Sequence, residues 1–355
     1  MITTEEIRDA LRKVMDPELG KSIVDLGMVR DINVAGEQVE LTLALTTMAC
    51  PLKNRMIDDI KAAIRGLDGA LTVNVKLVEM SAEDKARITA PSQPQPGLAQ
   101  EFNEIKHVIA VMSGKGGVGK SSVASLLAVA LRYKGERVGL LDADITGPSI
   151  PKMFGLQHAK GMSPMGLLPA VSSTGIKIMS INLLLQREDE PIIWRGPFIS
   201  GAIRQFWADV LWDKLDTLVV DLPPGTSDAT LTVMQALPVS GVLLVTSPQD
   251  LAGMVVRKAA SMAVQLNIPI IGLIENMSYL QCPDCSRRIE VFGPSHAEET
   301  ARALGVPLLG RMLLDPELAR QADNGQIESY NPGGFAATAD LIAARVPDVK
   351  CVPMV

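Results

Sequence analysis

Aromatic residues are scarce in this sequence. Phe, Tyr and Trp together make up 3% of 355 residues, while hydrophobic residues make up 47%. A core with so few rings has to be built from Leu, Ile, Val, Ala and 17 Met, a composition that suits helices packed on a parallel sheet. Positive charge is also in short supply. The net charge of -6 argues against a basic protein that coats nucleic acid through phosphate contacts. Long apolar runs are absent too: stretches such as Ile270-Ile271-Gly272-Leu273-Ile274 are strand length and fall well short of a membrane span. The opening MITTEEIRDA carries acids where a secretory signal has bases and then an apolar run. Cytoplasmic residence is the expectation, with neither membrane nor nucleic acid as a partner. The cysteines are few, Cys50, Cys282, Cys285 and Cys351. In a reducing compartment they read as thiols or metal ligands rather than a disulfide framework. Cys351 lies fifth from the end and fits no prenylation box.

A chain this long exceeds what one hydrophobic core usually supports, so two unequal domains are expected. Ala90-Pro91-Ser92-Gln93-Pro94-Gln95-Pro96-Gly97, with three prolines and no apolar periodicity, marks an extended linker. The division reads as a small α+β domain over 1–90, a Pro-rich linker over 91–104 and a large domain over 105–355. In the small domain the periodicity predicts a helix over 3–15, strands over 28–32 and 39–45, a helix over 52–64 and a strand over 71–77. In the large domain strands are predicted over 107–112, 138–141, 176–181, 218–221, 242–246 and 268–275, with helical segments between most of them. That alternation predicts a doubly wound, mostly parallel sheet.

Gly114-Lys115-Gly116-Gly117-Val118-Gly119-Lys120-Ser121 satisfies G-x-x-x-x-G-K-[ST] between an apolar strand and a helix, the context that gives the motif its meaning. Gly116, Gly117 and Gly119 let backbone N–H groups turn inward around phosphates, and the helix that follows adds its positive N-terminal end. Lys120 is placed to reach the β and γ phosphates, Ser121 to ligand Mg²⁺ and Ser122 to touch the α phosphate. Asp142-Ala143-Asp144 follows one predicted strand, and Asp221 ends another. Both acids of the first pair therefore emerge at the sheet edge where ligands gather. Asp221 fits a Walker B acid beside Ser121 and Mg²⁺, with Asp142 in the same ligand set. Pro223-Pro224-Gly225 forms a stiff loop behind it.

Cys282-Pro283-Asp284-Cys285 lets two thiolates point at one metal or cluster, but two ligands cannot close a four-thiolate site. A symmetric dimer would bring two such pairs to its two-fold axis, enough for a [4Fe–4S] cluster or for Zn²⁺. A redox dithiol is the other reading.

Lys115 adds a second positive charge where the general motif is free, and so resembles the deviant Walker A of the MinD/ParA/nitrogenase-iron-protein class. That resemblance implies a lysine that crosses a dimer interface to the partner's phosphates, a water-positioning role for Asp144 and an adenine-reading role for the Asn276 amide. With Asp142-Ala143-Asp144-Ile145-Thr146-Gly147-Pro148-Ser149, Trp194-Arg195-Gly196-Pro197, Asp221-Leu222-Pro223-Pro224-Gly225-Thr226-Ser227-Asp228 and the cysteine pair in order, the chain resembles the Mrp/ApbC iron–sulfur carrier ATPases nearly throughout. The resemblance implies a slow ATP hydrolase that forms a homodimer, binds a labile [4Fe–4S] cluster and hands it from assembly scaffolds to apo-proteins. Asp16-Pro17-Glu18, Ile23-Val24-Asp25-Leu26-Gly27 and Thr46-Thr47-Met48-Ala49-Cys50-Pro51 look like the SufT-like domain fused to such ATPases. Cys50, before Pro51 and a predicted helix, reads either as a thiolate favoured by the helix end or as a buried inert thiol. A MinD/ParA-like partitioning ATPase and a zinc carrier with the same thiolates are the competing readings. Against the first, the C-terminal segment lacks a basic amphipathic helix.

Overall fold

The computed structural model describes residues 3–14, 22–36, 38–45, 53–67, 72–80, 98–159, 161–185, 196–331 and 335–347. The linker read at 90–97, Asp16-Pro17-Glu18, Thr46–Pro51, Trp194, Arg195, Cys50 and Cys351 lie outside the described residues. The chain divides into two compact units, Met1–Pro94 and Gln95–Val355.

In the first unit, helix α1 (Thr4–Leu11) starts where Thr3 accepts the Glu6 N–H and the Glu6 carboxylate accepts the Thr3 N–H at 2.8 Å. This reciprocal cap satisfies two amides that a helix start leaves open. The helix stops at Leu11, short of the predicted residue 15, because the chain turns there: Val14 N–H bonds to Leu11 O, and Ile23 N–H bonds to Val14 O. Strands β1 (Val29–Ala35) and β2 (Gln38–Leu45) form an antiparallel hairpin across Gly36, which sits at φ +62°. Helix α2 (Lys53–Arg65) then leads to β3 (Thr72–Glu79), parallel to β2. Met56, Ile60 and Ile64 recur at the helical spacing and are fully buried with Ile7, Leu11, Leu41 and Leu43.

The second unit is built on a nine-stranded sheet. Its elements in order are β4 (Glu104–Ser113), α3 (Lys120–Tyr133), β5 (Val138–Asp142), α4 (Ile150–Met153), the hairpin β6 (Gly161–Ser163) and β7 (Gly166–Leu168), then β8 (Ala170–Val171), β9 (Lys177–Met179), α5 (Gly196–Ala208), β10 (Lys214–Asp221), α6 (Asp228–Ala236), β11 (Gly241–Thr246), α7 (Asp250–Gln265), β12 (Ile270–Gln281), β13 (Arg288–Ile289), α8 (Ala297–Leu304), β14 (Leu308–Leu313), α9 (Pro316–Asp323) and α10 (Phe335–Ala343). The strand order is β13-β12-β11-β4-β10-β5-β9-β8, with β14 also on β12. All pairings in this sheet are parallel except β12 with β13 and β8 with β9.

Successive residues of β4 explain the apolar run. Ile109 and Val111 pack with Val123 and Leu127 of α3 on one face, while Val108, Ala110 and Met112 pack with Ile203, Val233 and Val256 on the other. A strand covered on both faces has no reason to alternate polar residues, hence the continuous hydrophobic reading. Two elements differ from the predicted ones in ways that matter below. β12 continues six residues beyond the predicted end at 275, and β14 was not read at all because Gly310 and Arg311 interrupt its short apolar run.

At the opposite edge from the phosphate loop, Asp216 ties β10 to its two neighbours. It accepts from Arg137 Nε at 3.0 Å and its terminal nitrogen at 2.9 Å, from the Arg137 backbone N–H at 3.0 Å, and pairs with Lys106 Nζ at 2.7 Å. These donors, Arg137 first, hold the carboxyl well below the usual carboxylate range. A depressed folded value contributes stability that is present above the unfolded value near 4 and is lost as the solution acidifies. Asp216→Asn should therefore lower the melting temperature at pH 7 by about 2 °C, the effect of a solvent-screened pair. Thermal unfolding repeated at about pH 3 should show a smaller gap between the two proteins.

Candidate functional site

The phosphate loop joins β4 to α3 at the centre of the sheet. Gly117 and Gly119 sit at φ +80° and +76°, and Gly119 is an N-cap without a side-chain hydrogen bond. The first amides of α3 are therefore left open toward the loop, which is the physical basis of an anion site. Gly114 is required for another reason. A Cβ there would stand 2.3 Å from the Val255 backbone carbon, so α7 lies directly against the loop. Behind the loop, Gly225 (φ +82°) donates to Ser113 O at 2.9 Å, and Thr230 Oγ1 is 3.3 Å from both Pro223 O and Gly225 O.

Lys120, Ser121 and Asp221 meet at one point. Lys120 Nζ lies 2.5 Å from Asp221 Oδ1, and Ser121 Oγ donates to Oδ2 at 2.6 Å. The ammonium is 7% exposed and the carboxylate fully buried. Burial pushes the Asp221 carboxyl up, while Lys120 and then Ser121 pull it down in part. A hydroxyl and a carboxylate side by side form an oxygen donor set that fits a hard cation such as Mg²⁺. Val118 is buried against the core and Ser122 is half-buried on the first turn of α3.

Asp142, the strand-end acid beside Asp221, is held by its own loop. It is fully buried, and its oxygens accept from the backbone N–H groups of Asp144 (3.2 Å), Ser149 (3.0 Å) and Ile150 (3.1 Å) and from Ser180 Oγ (3.3 Å). Three of these donors fall on Oδ2 and one on Oδ1, so Oδ1 keeps a lone pair that can face a cation. The contacts also anchor the loop that carries Asp144. Burial, and next the Asp221 charge, push its carboxyl up to about 8. Asp144 itself is half-buried, accepting from Thr146 Oγ1 at 3.0 Å and Gly147 N–H at 3.2 Å within its own turn.

Lys115 is exposed and donates to Gln249 Oε1 at 3.0 Å, next to the start of α7. Asn276 is 4% exposed and donates from Nδ2 to Val118 O at 3.0 Å. A Cβ on Gly119 would stand 2.2 Å from that same nitrogen. The amide thus props the loop from beneath, a duty that sequence reasoning did not assign. Neither this contact nor Gln249 carries a local signal, since each pairs residues more than a hundred positions apart.

The cysteine pair forms the tip of the β12–β13 hairpin. Cys282 N–H bonds to Arg287 O and Ser286 N–H to Cys282 O, both at 2.9 Å, with Ser286 in the left-handed region at φ +58°. The backbone N–H groups of Cys285 and then Asp284, with the Cys285 thiol, pull the Cys282 thiol down, which favours the thiolate. Cys282 is half-buried and Cys285 exposed. Among the described residues no group of three or more His, Cys, Asp or Glu is arranged to hold a metal ion.

Comparison with known proteins adds the lineage. A family model described as an NUBPL iron-transfer P-loop NTPase matches residues 104–346, and one described as an iron–sulfur cluster assembly protein matches residues 4–77. The chain is 42% identical to an iron–sulfur cluster carrier protein of Synechocystis sp., over 98% of each chain. With a protein of the same name from Methanocaldococcus jannaschii it shares 48% identity, over 66% of this chain and 81% of that one. A nucleotide-binding protein of Archaeoglobus fulgidus, solved with ADP, is similar at 42% identity and a TM-score of 0.59, over 70% of this chain and 95% of that chain. The cell division ATPase MinD of Pyrococcus furiosus shares the fold at 20% identity and a TM-score of 0.51, over 67% of this chain and 99% of that one. With the family model matched across the whole sheet unit and a relative of this identity along nearly its full length, the chain belongs to the NUBPL iron-transfer P-loop NTPase family.

Proposed function

We propose that this chain is a slow ATPase that binds a [4Fe–4S] cluster between two copies of itself, through Cys282 and Cys285 of each, and passes it from an assembly scaffold to apo-proteins in the cytoplasm. The observation that carries the reading is the hairpin tip: Cys282 half-buried and Cys285 exposed in one turn, with no group of three or more metal-ligating residues among the described residues. Two sulfurs per chain fall short of the four that a cubane cluster takes, and a second copy supplies the difference. The names of the relatives support the cargo, and the A. fulgidus protein's ADP supports the nucleotide. Among the described residues no helix is long and apolar enough to cross a membrane. Residues 1–90 are read as a small SufT-like domain and 105–355 as the ATPase domain, joined by the linker 91–104.

At the nucleotide site, Gly114 to Ser122 cradle the phosphates with backbone N–H groups, and Lys120 exchanges its Asp221 partner for phosphate oxygens. Asp221 and Ser121, with Asp142 in the same set, would hold Mg²⁺, which would supply charge neutralisation on the phosphates. Asp144, on the loop anchored by Asp142, orients the attacking water. Lys115 leaves Gln249 and reaches the partner's nucleotide, where it offsets charge that develops in the transition state. Asn276 reads the adenine edge from its place under the loop.

Lys120→Ala should abolish measurable nucleotide binding. Lys115→Ala should keep nucleotide affinity and slow hydrolysis by about 100-fold, the usual cost of removing one donor to a developing charge. Gln249→Leu should leave affinity unchanged and raise turnover by up to about fivefold, since one exposed hydrogen bond no longer holds Lys115 back. Steady-state ATPase assays with equilibrium binding of ADP check all three, and an unimpaired Lys115→Ala enzyme would remove the trans-lysine role.

For the cargo, wild-type and Cys282→Ser protein should be reconstituted anaerobically and analysed for iron, sulfide, zinc and mass in solution. About four irons per dimer in the wild type and almost none in the variant is the expected outcome. Zinc in place of iron, a stable cluster on a monomer, or full iron in the variant would overturn the assignment.

A further inference from the structure

β12 is a single strand that touches both halves of the proposed function. At Asn276 it supports Val118 and Gly119, the two residues before Lys120. Six positions later, one residue past its end, comes Cys282, about 20 Å along an extended chain. Between the two it is not regular. Glu275 pairs with Arg311 and Tyr279 with Leu313, so β12 advances four residues while β14 advances two. The surplus is taken up at Asn276 to Ser278, where Met277 adopts φ +55°. A non-glycine residue in the left-handed region inside a strand is strained unless its surroundings hold it there.

The surroundings do hold it. Glu275, 1% exposed, accepts from Ser278 Oγ. Arg311 Nε donates to Ser278 Oγ at 3.1 Å and lies 3.5 Å from the Glu275 carboxylate. Beyond the bulge the strand is tied again at once. Leu314 N–H bonds to Tyr279 O at 2.7 Å, the Arg288 guanidinium lies 4.5 Å from the centre of the Tyr279 ring, and Leu280 and Gln281 pair with Ile289 and Arg288 of β13. A displacement of the loop thus has a short, hydrogen-bonded path to the cysteine turn, with one strained joint along it.

We propose that this bulge couples the two sites, so that nucleotide in the phosphate loop repositions the Cys282–Cys285 turn. Asn276 follows the Val118 carbonyl, and Ser278 and Arg311 are positioning residues that make the movement reach the hairpin instead of dissipating at Met277. The inference rests on the proposed nucleotide and cluster sites, and it assigns a function to a polar clamp that touches neither ligand. Bulges re-aim the strand that contains them, and coupling needs an element that both sites bias.

The test is amide hydrogen exchange on the full reduced chain without cluster, with and without Mg-ADP or a non-hydrolysable Mg-ATP analogue. In the wild type, nucleotide should protect 114–121 and shift exchange in 279–289 by about fivefold or more. In Arg311→Gln, which alters an exposed side chain, and in Ser278→Ala, protection of 114–121 and nucleotide affinity should persist while the response of 279–289 is lost. Ser278→Thr, which keeps the hydroxyl, should restore it. A hairpin response that survives in both Arg311→Gln and Ser278→Ala, or a wild type that protects 114–121 without any change at 279–289, overturns the coupling. Those outcomes leave nucleotide binding and cysteine ligation intact, whereas a wild type with no protection at 114–121 overturns the nucleotide site and the coupling with it.

Discussion

A lysine ammonium and an aspartate carboxylate meet at 2.5 Å inside the sheet edge, with a serine hydroxyl on the other carboxylate oxygen. Withdrawing such charges from water costs several kcal/mol per ion, and removing one partner leaves the other buried and uncompensated. The burden is greater here because Asp142 lies directly across in register and raises the cost of a second negative charge. In the function proposed above, phosphate would take Lys120 as its partner and leave the carboxylate of Asp221 in need of a new cation. Anion and Mg²⁺ would then be linked through one buried pair, while the loop geometry around Gly117 and Gly119 leaves the amides open.

The same crowding explains how elements remote in sequence come to depend on the loop. Gly114 admits the backbone of α7 at a distance that any side chain would forbid. Lys115 then lies within reach of Gln249 at the start of that helix. On the opposite side Asn276 occupies the space where Gly119 has no side chain. The loop is therefore packed on both flanks by residues of α7 and β12. β12 is the flank that continues to the cysteines.

The hairpin that carries Cys282 and Cys285 is a small structure with few buried contacts, held mainly by two turn hydrogen bonds and two pairs of β12–β13 residues. Local structure of this kind opens and moves at low cost, which would suit the hold-and-release duty proposed for the two thiols. Near it Ile289, Val291 and Phe292 are exposed, an apolar surface beside the thiols.

Much of this was legible from local pattern. The phosphate loop is encoded within eight consecutive residues, because glycine backbone freedom and a following helix are all that the cradle requires. The parallel sheet was legible because strands covered on both faces must be apolar throughout, and the cysteine turn because both thiols lie in one four-residue segment. What only the tertiary structure decided are the contacts between segments far apart. Asp142 and Asp221 both end buried strands in the sequence, yet one accepts from the amides of Ser149 and Ile150 and the other faces Lys120. Asn276 and Gln249 acquire their partners, and β12 its bulge against β14, from packing across the sheet. A residue's local sequence sets which hydrogen bonds it is able to make, but only the folded chain brings a distant donor or acceptor within 3 Å, and no periodicity in the chain records that meeting.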